Sequence, residues 1–196
     1  MEQYPVFKNL NIILASASPR RHKLMQEAGL KFSVLIPQVE EVYPSSISVE
    51  EVTLYLAKLK ANFFKINDFT DNTVIISADT IVSLDDEIIS KPKSYEDAVY
   101  ILKKISGKKH VVITGVCLKS KFKTLTFTVK TNVYFKDLTD SEIQYYVDNY
   151  RPYDKAGAYG AQEWIGHIGI SKIEGSFLNV MGLPIKELYE YLIQFC

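Results

Sequence analysis

Nowhere in the 196-residue chain is there a run of about 18 apolar residues, so no membrane-spanning helix is expected. The opening residues, Met1-Glu2-Gln3-Tyr4-Pro5, lack the basic start and apolar run of a secretory signal. Cysteine is scarce: Cys117 and Cys196 are the only two, too few for a disulfide framework and wrongly spaced for a zinc site. They suit a reducing, cytoplasmic setting, where a free cysteine acts as a small apolar side chain. Histidine is equally sparse, and His22, His110 and His167 show no metal-ligand spacing. There is no Walker A sequence, no G-x-G-x-x-G and no G-x-S-x-G elbow. No internal repeat and no Gly/Ser- or Pro-rich linker divides the chain, so one domain over 1–196 is expected. Net charge is missing too, with 23 basic against 23 acidic residues, which counts against a nucleic-acid binder.

What is present is the composition of a globular protein, 47% hydrophobic and 23% charged. Charge is uneven locally: nine lysines and no acid lie between Ala98 and Lys136. A basic stretch can attract phosphate, but these lysines alternate with strand-type apolar residues, as on a solvated sheet face.

Strand and helix signals alternate. Asn11–Ala15 reads as a strand, Pro19–Ala28 as a helix capped by Ser18 and stopped at Gly29, and Phe32–Ile36 as a second strand. Ser48-x-x-Glu51 is a capping box for a helix to about Ile66. Thr73–Ser77 is a strand, with Ala78-Asp79-Thr80 at its end. Asp85-Asp86 is the turn of a hairpin between Ile81–Leu84 and Glu87–Ile89. A helix over Tyr95–Ile105, strands over Lys109–Leu118 and Thr124–Phe135, and a helix to Tyr150 opened by Thr139-x-x-Glu142 follow. Tyr153–Gly169 reads as a Gly-rich loop and Ile170–Ile173 as a strand. Gly175–Pro184 reads as a tight turn, with Pro184 as first residue of the last helix. The sum is an α/β fold with a mixed sheet.

Several clusters carry chemistry. Ser16-Ala17-Ser18-Pro19-Arg20-Arg21 joins a strand to a helix N-terminus, where unpaired N–H groups favour an anion. Two arginines in a first turn oppose the helix dipole; a bound phosphate would reverse that cost, because guanidinium grips phosphate in a fork. The alternative is a capped helix with two solvated arginines. Asp79-Thr80 beyond a strand could bind a hard cation or take a proton from water, or could simply cap a turn. Lys60 sits on an apolar-striped helix, and Lys91-Pro92 holds a lysine on stiffened chain; either lysine could equally be solvated. In Asp154-Lys155-Ala156-Gly157-Ala158-Tyr159-Gly160-Ala161-Gln162, small residues would let backbone approach a ligand whose flat polar ring Tyr159 or Gln162 reads; the alternative is a glycine loop that is merely mobile.

Taken together, these segments resemble the Maf family of nucleoside-triphosphate pyrophosphatases, specifically its dTTP/UTP branch. The matching pieces are Leu14-Ala15-Ser16-x-Ser18-Pro19-Arg20-Arg21, Val39-Glu40-Glu41, Leu56-Ala57-x-x-Lys60-Ala61, Ala78-Asp79-Thr80 and Lys91-Pro92. Ser106-Gly107-x-x-His110, Asp154 through Gln162 and Gly182-Leu183-Pro184 complete the set, in family order. The resemblance implies a bent mixed β-sheet with flanking helices and two lobes around a cleft, as in inosine-triphosphate pyrophosphatases. It implies hydrolysis of a nucleoside triphosphate such as dTTP or UTP to monophosphate and pyrophosphate with Mg²⁺ or Mn²⁺, in the cytoplasm, and a homodimer. Carried over, Asp79 is the catalytic carboxylate and a metal ligand with Glu40 or Glu41. Arg20, Thr80 and Gln162 set nucleotide preference, and Ser16, Ser18, Arg21, Lys60 and Lys91 hold phosphate. Where the family continues Gly-Ile-Gln-Gly, this chain has Gly160-Ala161-Gln162-Glu163, and an acid there implies altered affinity or preference. A non-catalytic protein influencing cell division is the competing reading; it requires a partner surface and tolerance of change at Asp79.

Overall fold

The structure, a computed structural model, describes residues 4–196; the first three residues of the N-terminal segment, Met1 to Gln3, lie outside the described residues. The elements are β1 (Asn11–Ala15), α1 (Pro19–Glu27), β2 (Ser33–Leu35), α2 (Val49–Asn62), β3 (Thr73–Leu84) and β4 (Glu87–Ile89). They continue with α3 (Tyr95–Ile105), β5 (Lys109–Lys119), β6 (Thr124–Phe135), α4 (Asp140–Tyr150), α5 (Trp164–Gly169), β7 (Ile170–Glu174), α6 (Phe177–Val180) and α7 (Ile185–Leu192). The strands form one seven-stranded sheet, ordered β2-β1-β3-β5-β6-β7, with β4 paired to β3 off that path. Pairing of β1 with β2 and β3 is parallel, whereas β3–β4 and β6–β7 are antiparallel, so the mixed α/β fold expected from the sequence is present. Among the described residues no helix is long and apolar enough to cross a membrane.

The chain divides into two compact units. The first holds residues 4–79, Thr114–Val129 and Gly182–Cys196. Its sheet starts in register at Asn11 opposite Thr73, where the Asn11 amide donates to Thr73 Oγ1 at 2.9 Å. Ile13, Ala15 and Ile75 pack with Ala57, Ala61 and Cys117 in a buried cluster. The Ser48 capping box forms as expected: its hydroxyl accepts from Glu51 N–H, and its own N–H donates to the Glu51 carboxylate at 2.8 Å. That helix ends at Asn62, four residues before the expected Ile66. The chain leaves the helix axis there and packs Phe64, Ile66 and Phe69 against the β1–β3 cluster, a burial the helical path would forgo.

The second unit holds Thr80–Ile113 and Lys130–Met181. Asp85 and Asp86 both adopt left-handed backbone (φ 51° and 62°), the geometry of a type I′ hairpin turn between β3 and β4. Helices α3 and α4 start at Ser94 and Thr139 as their caps predict, and bury Leu102, Ile105, Ile143 and Tyr146 in one core with Phe135 and Ile165.

Three expectations are corrected. Thr73–Leu84 is one continuous strand, so Asp79 lies within it and not at its end. Its parallel pairing with β1 reaches Ile76 and its antiparallel pairing with β4 begins at Val82, while β5 is its neighbour on the other side in the sheet order. The supposed loop before Ile170 contains α5, whose Gly166 is there for space: a Cβ would lie 2.2 Å from the Ala161 carbonyl oxygen. The turn before Pro184 contains α6, capped by Ser176, and Pro184 is the N-cap of α7 and not its first residue. Its carbonyl accepts from Leu188 N–H at 2.9 Å while its own ψ of 86° remains outside the helix.

The lysines of the basic stretch do not line one sheet face: β5 is almost wholly buried, and most of them lie on α3, at strand ends and in the β5–β6 turn, several paired with acids. Lys103 pairs with Asp140, Lys104 with Glu87, Lys121 with Asp71 and Lys136 with Glu142.

Candidate active site

Two elementary periodicities build the centre of the first unit. Side chains two apart on a strand share a face, so Ile75, Ser77 and Asp79 of β3 point the same way. Residues three and four apart on a helix also share a face, so Ala57, Lys60 and Ala61 of α2 form a matching row. The two rows meet rung by rung. Ser77 Oγ donates to the Ala57 carbonyl at 2.6 Å, and one step on, Lys60 Nζ reaches Asp79 Oδ1 at 2.6 Å. Close approach of α2 to the sheet is possible because residue 115 on β5 is glycine, where a Cβ would fall 2.5 Å from the Thr53 carbonyl carbon.

Lys60 also reaches Glu41 Oε1 at 2.9 Å, so one ammonium joins two carboxylates. Both Lys60 and Asp79 are about nine-tenths buried, whereas the Glu41 side chain is half exposed. Of the adjacent acids, Glu41 therefore faces Lys60, and Glu40 is exposed. Burial pushes the Asp79 carboxyl above its ordinary value. The charge and hydrogen bond of Lys60 and the charge of Arg21 pull it back, and Glu41 adds to the rise. The outcome is a carboxylate of enhanced basicity held beside cations.

The strand-to-helix turn after β1 supplies the second half of this centre. Ser18 caps α1, its hydroxyl accepting from Arg21 N–H, and its own N–H donates to Ser16 Oγ at 3.1 Å. The Arg21 side chain folds back over the turn, its Nε donating to the Gly182 carbonyl at 2.8 Å and its Nη1 reaching Ser16 Oγ at 3.5 Å. Burial, with Arg20 nearby, lowers the Arg21 pKa; Asp79 and Glu41 oppose that, and guanidinium stays charged throughout. His22 Nε2 donates to the Ser16 carbonyl at 2.7 Å. A helix N-terminus, a buried serine and two half-buried arginines thus accompany the Asp79–Lys60–Glu41 cluster, an arrangement able to hold a polyanion.

The structure brings Ser16, Ser18, Arg21, Glu41, Lys60 and Asp79 into the first unit, together with Arg20 in the first turn of α1. Thr80, Lys91 and Gln162 belong to the second. Thr80 is half-buried and follows Asp79 on β3, while Lys91 is exposed behind the buried Pro92. Gln162 Oε1 is buried and has no hydrogen-bond partner among the described residues. Sequence reasoning missed His22, Ser77, Gly115 and the Gly182 carbonyl as supports of this centre. The Gly182-Leu183-Pro184 signal was visible in the sequence, although without its partner Arg21.

A divalent cation can be tested against these donors. Asp79 and Glu41 converge on a single positive group, the Lys60 ammonium, and offer the hard oxygens that Mg²⁺ or Mn²⁺ takes. Among the described residues no cluster of three or more His, Cys, Asp or Glu exists that could hold a metal. The protein's share of a shell would be two carboxylates, which fits an ion that arrives with substrate phosphates.

Cationic and N–H donors beside a basic carboxylate suit a phosphate ligand. The chain belongs to the Maf-like protein family, which matches residues 11–195. A relative from Flavobacterium psychrophilum is 48% identical over 187 residues, 95% of each chain, and is named dTTP/UTP pyrophosphatase. Relatives from Porphyromonas gingivalis (45% identical, covering 96% of each chain) and Phocaeicola vulgatus (49%, covering 92% of this chain and 94% of the relative) carry the same name. The solved structure of the Staphylococcus aureus Ham1 protein is similar with a TM-score of 0.44 at 15% identity, covering 65% of this chain and 72% of that one.

Proposed function

We propose that this chain is a dTTP/UTP pyrophosphatase, hydrolysing the nucleotide to its monophosphate and pyrophosphate, with Asp79 as the catalytic carboxylate. The observation that carries this reading is the buried Asp79 joined to Lys60 beside the Arg21 turn. Relatives of that name, covering nearly the whole chain, supply the substrate class.

A triphosphate carries about four negative charges, so its binding is an electrostatic task. Arg20, Arg21, Lys60 and Lys91 supply cationic partners, and the Ser16–Ser18 turn supplies hydroxyl and N–H donors. Asp79 accepts a proton from the attacking water as the water oxygen bonds to the α-phosphorus. The bond from that phosphorus to the bridging oxygen of the β-phosphate breaks, and pyrophosphate leaves with the electron pair. Burial makes Asp79 the stronger base, while the charge and hydrogen bond of Lys60 favour its ionised form. A divalent cation held by Asp79 and Glu41 would supply charge neutralisation at the phosphate oxygens. Thr80 and Gln162 serve to choose the base.

The reading includes action in the cytoplasm, supported by the free cysteines, and a homodimer, which light scattering on the purified protein tests. The decisive experiment is pyrophosphate release from dTTP, UTP, CTP, GTP and 7-methyl-GTP with Mg²⁺ or Mn²⁺, beside Asp79→Asn. Release from dTTP and UTP that vanishes in the variant is expected. Turnover that survives the substitution, or no turnover at all, refutes it; the latter turns attention to the binding-protein reading.

A further inference from the structure

Glu163 stands at the N-cap of α5, but its side chain makes no cap hydrogen bond there. Its carboxylate instead turns back to Tyr146 and Lys155. Tyr146 Oη donates to Glu163 Oε2 in a short hydrogen bond, and Lys155 Nζ lies 3.2 Å from Oε1, so both oxygens are engaged. Lys155 is itself tied to Asp154 at 2.7 Å and is nine-tenths buried. The carboxylate is thus turned into this network, with one partner on each oxygen.

What the network grips is the neighbouring backbone. Tyr146 Oη accepts from Gly160 N–H at 3.1 Å, and Glu163 N–H donates to the Gly160 carbonyl at 3.0 Å. Both polar backbone groups of Gly160 are therefore held by the Tyr146–Glu163 pair. The carboxylate also fills the space above Gly160, where a Cβ would meet Glu163 Cδ at 2.7 Å. Between these fixed points sits Gln162, its Oε1 buried and, among the described residues, without a partner. A buried acceptor left in that state calls for a reason, and a side chain held ready for an incoming donor is one.

We infer that Glu163 is a positioning residue: with Tyr146 and Lys155 it clamps the Gly160–Gln162 turn, and through that turn it sets nucleotide affinity and preference without touching the nucleotide. The inference rests on the pyrophosphatase reading and on Gln162 as a base-selecting side chain. The amide in Glu163→Gln keeps an acceptor for Tyr146 and loses the charge facing Lys155; Tyr146→Phe removes the hydroxyl that holds Gly160 N–H.

The test compares Glu163→Gln, Tyr146→Phe, Gln162→Ala and the Gln162→Ala/Glu163→Gln double variant. Steady-state pyrophosphate release is measured on dTTP, UTP and CTP, with amide hydrogen exchange on each protein. Glu163→Gln is expected to raise KM for dTTP about tenfold while kcat stays within about threefold, and to narrow the dTTP-over-CTP preference. The double variant is expected to be no worse than Gln162→Ala alone, because residues acting through one another are not additive. Faster exchange at Gly160 and its neighbours is expected in both Glu163→Gln and Tyr146→Phe. Unchanged KM and preference, or losses that multiply in the double variant, overturn the inference. Should the unaltered protein release no pyrophosphate from any nucleotide, the pyrophosphatase reading fails by itself. The exchange data still judge the clamp, and undisturbed protection at Gly160 refutes it.

Discussion

Lys60 and Asp79 meet at 2.6 Å with both side chains about nine-tenths buried, one on the last turn of α2 and the other in the middle of β3. Removing one member of a buried pair strands the other, at a cost of about 3–5 kcal/mol. Lys60→Met is therefore expected to destabilise the protein strongly at pH 7. The sign of its pH dependence follows from Asp79, whose carboxyl would rise further above its unfolded value. A raised carboxyl contributes stability that is present below the unfolded pKa and lost as pH rises through the folded one. The variant should thus recover part of its deficit near pH 4, and Lys60→Met/Asp79→Asn should recover part of it at pH 7. Urea denaturation at both pH values measures this.

Asp79→Asn preserves shape and removes the proton acceptor. Loss of kcat by about 10²–10⁴ is expected, the range of a positioned general base. In the unaltered enzyme the acidic limb of kcat/KM should lie above the ordinary aspartate value, because burial raises this carboxyl. A limb at or below the ordinary value would show that another group titrates.

His110 is a separate matter of stability. Its Nε2 lies 2.8 Å from Tyr159 Oη, and burial lowers its pKa to about 4. Its folded value lies below its unfolded one, so the stabilisation is present above about pH 6.5 and lost as pH falls towards 4. The loss amounts to about 3 kcal/mol over that window. His110→Gln should flatten this part of the stability profile, whatever its constant packing cost; an unchanged slope in denaturation midpoints from pH 7 to 4.5 would count against it.

Gly115→Ala would press a methyl group onto the backbone of α2 at Thr53 and Leu54. Overpacking of this kind costs about 1–3 kcal/mol, and relief by outward movement of α2 would carry Lys60 away from Asp79. A lower Tm together with lower kcat is expected. A lower Tm with full activity would mean that the strain is absorbed elsewhere.

These predictions also show where the sequence was readable. The caps at Ser18, Ser48, Ser94 and Thr139 act within four residues, so the starts of α1 to α4 could be read directly. Asp79 and Lys60 could each be named as candidates, whereas their meeting depends on the Ser77–Ala57 hydrogen bond and on the room made by Gly115. Neither of those is a local signal. The choice between Glu40 and Glu41 was closed to sequence reasoning because a loop has no periodicity to assign a face. Helix α5 was hidden because its glycines normally signal loop; here Gly166 admits the Ala161 backbone and Gly169 the Phe135 and Leu138 side chains.

The hydrogen bond from Arg21 to the Gly182 carbonyl ties residues 161 positions apart. A growing chain emerges N-terminus first and folds by units as it appears. When β1, α1, α2 and β3 have all left the ribosome, the Gly182 carbonyl that Arg21 Nε binds is still to come, with the segment from Gly182 onward. The centre is thus completed late in synthesis. A stop codon placed just ahead of Gly182 would spare every charged residue of the candidate site and still remove the carbonyl that Arg21 Nε binds.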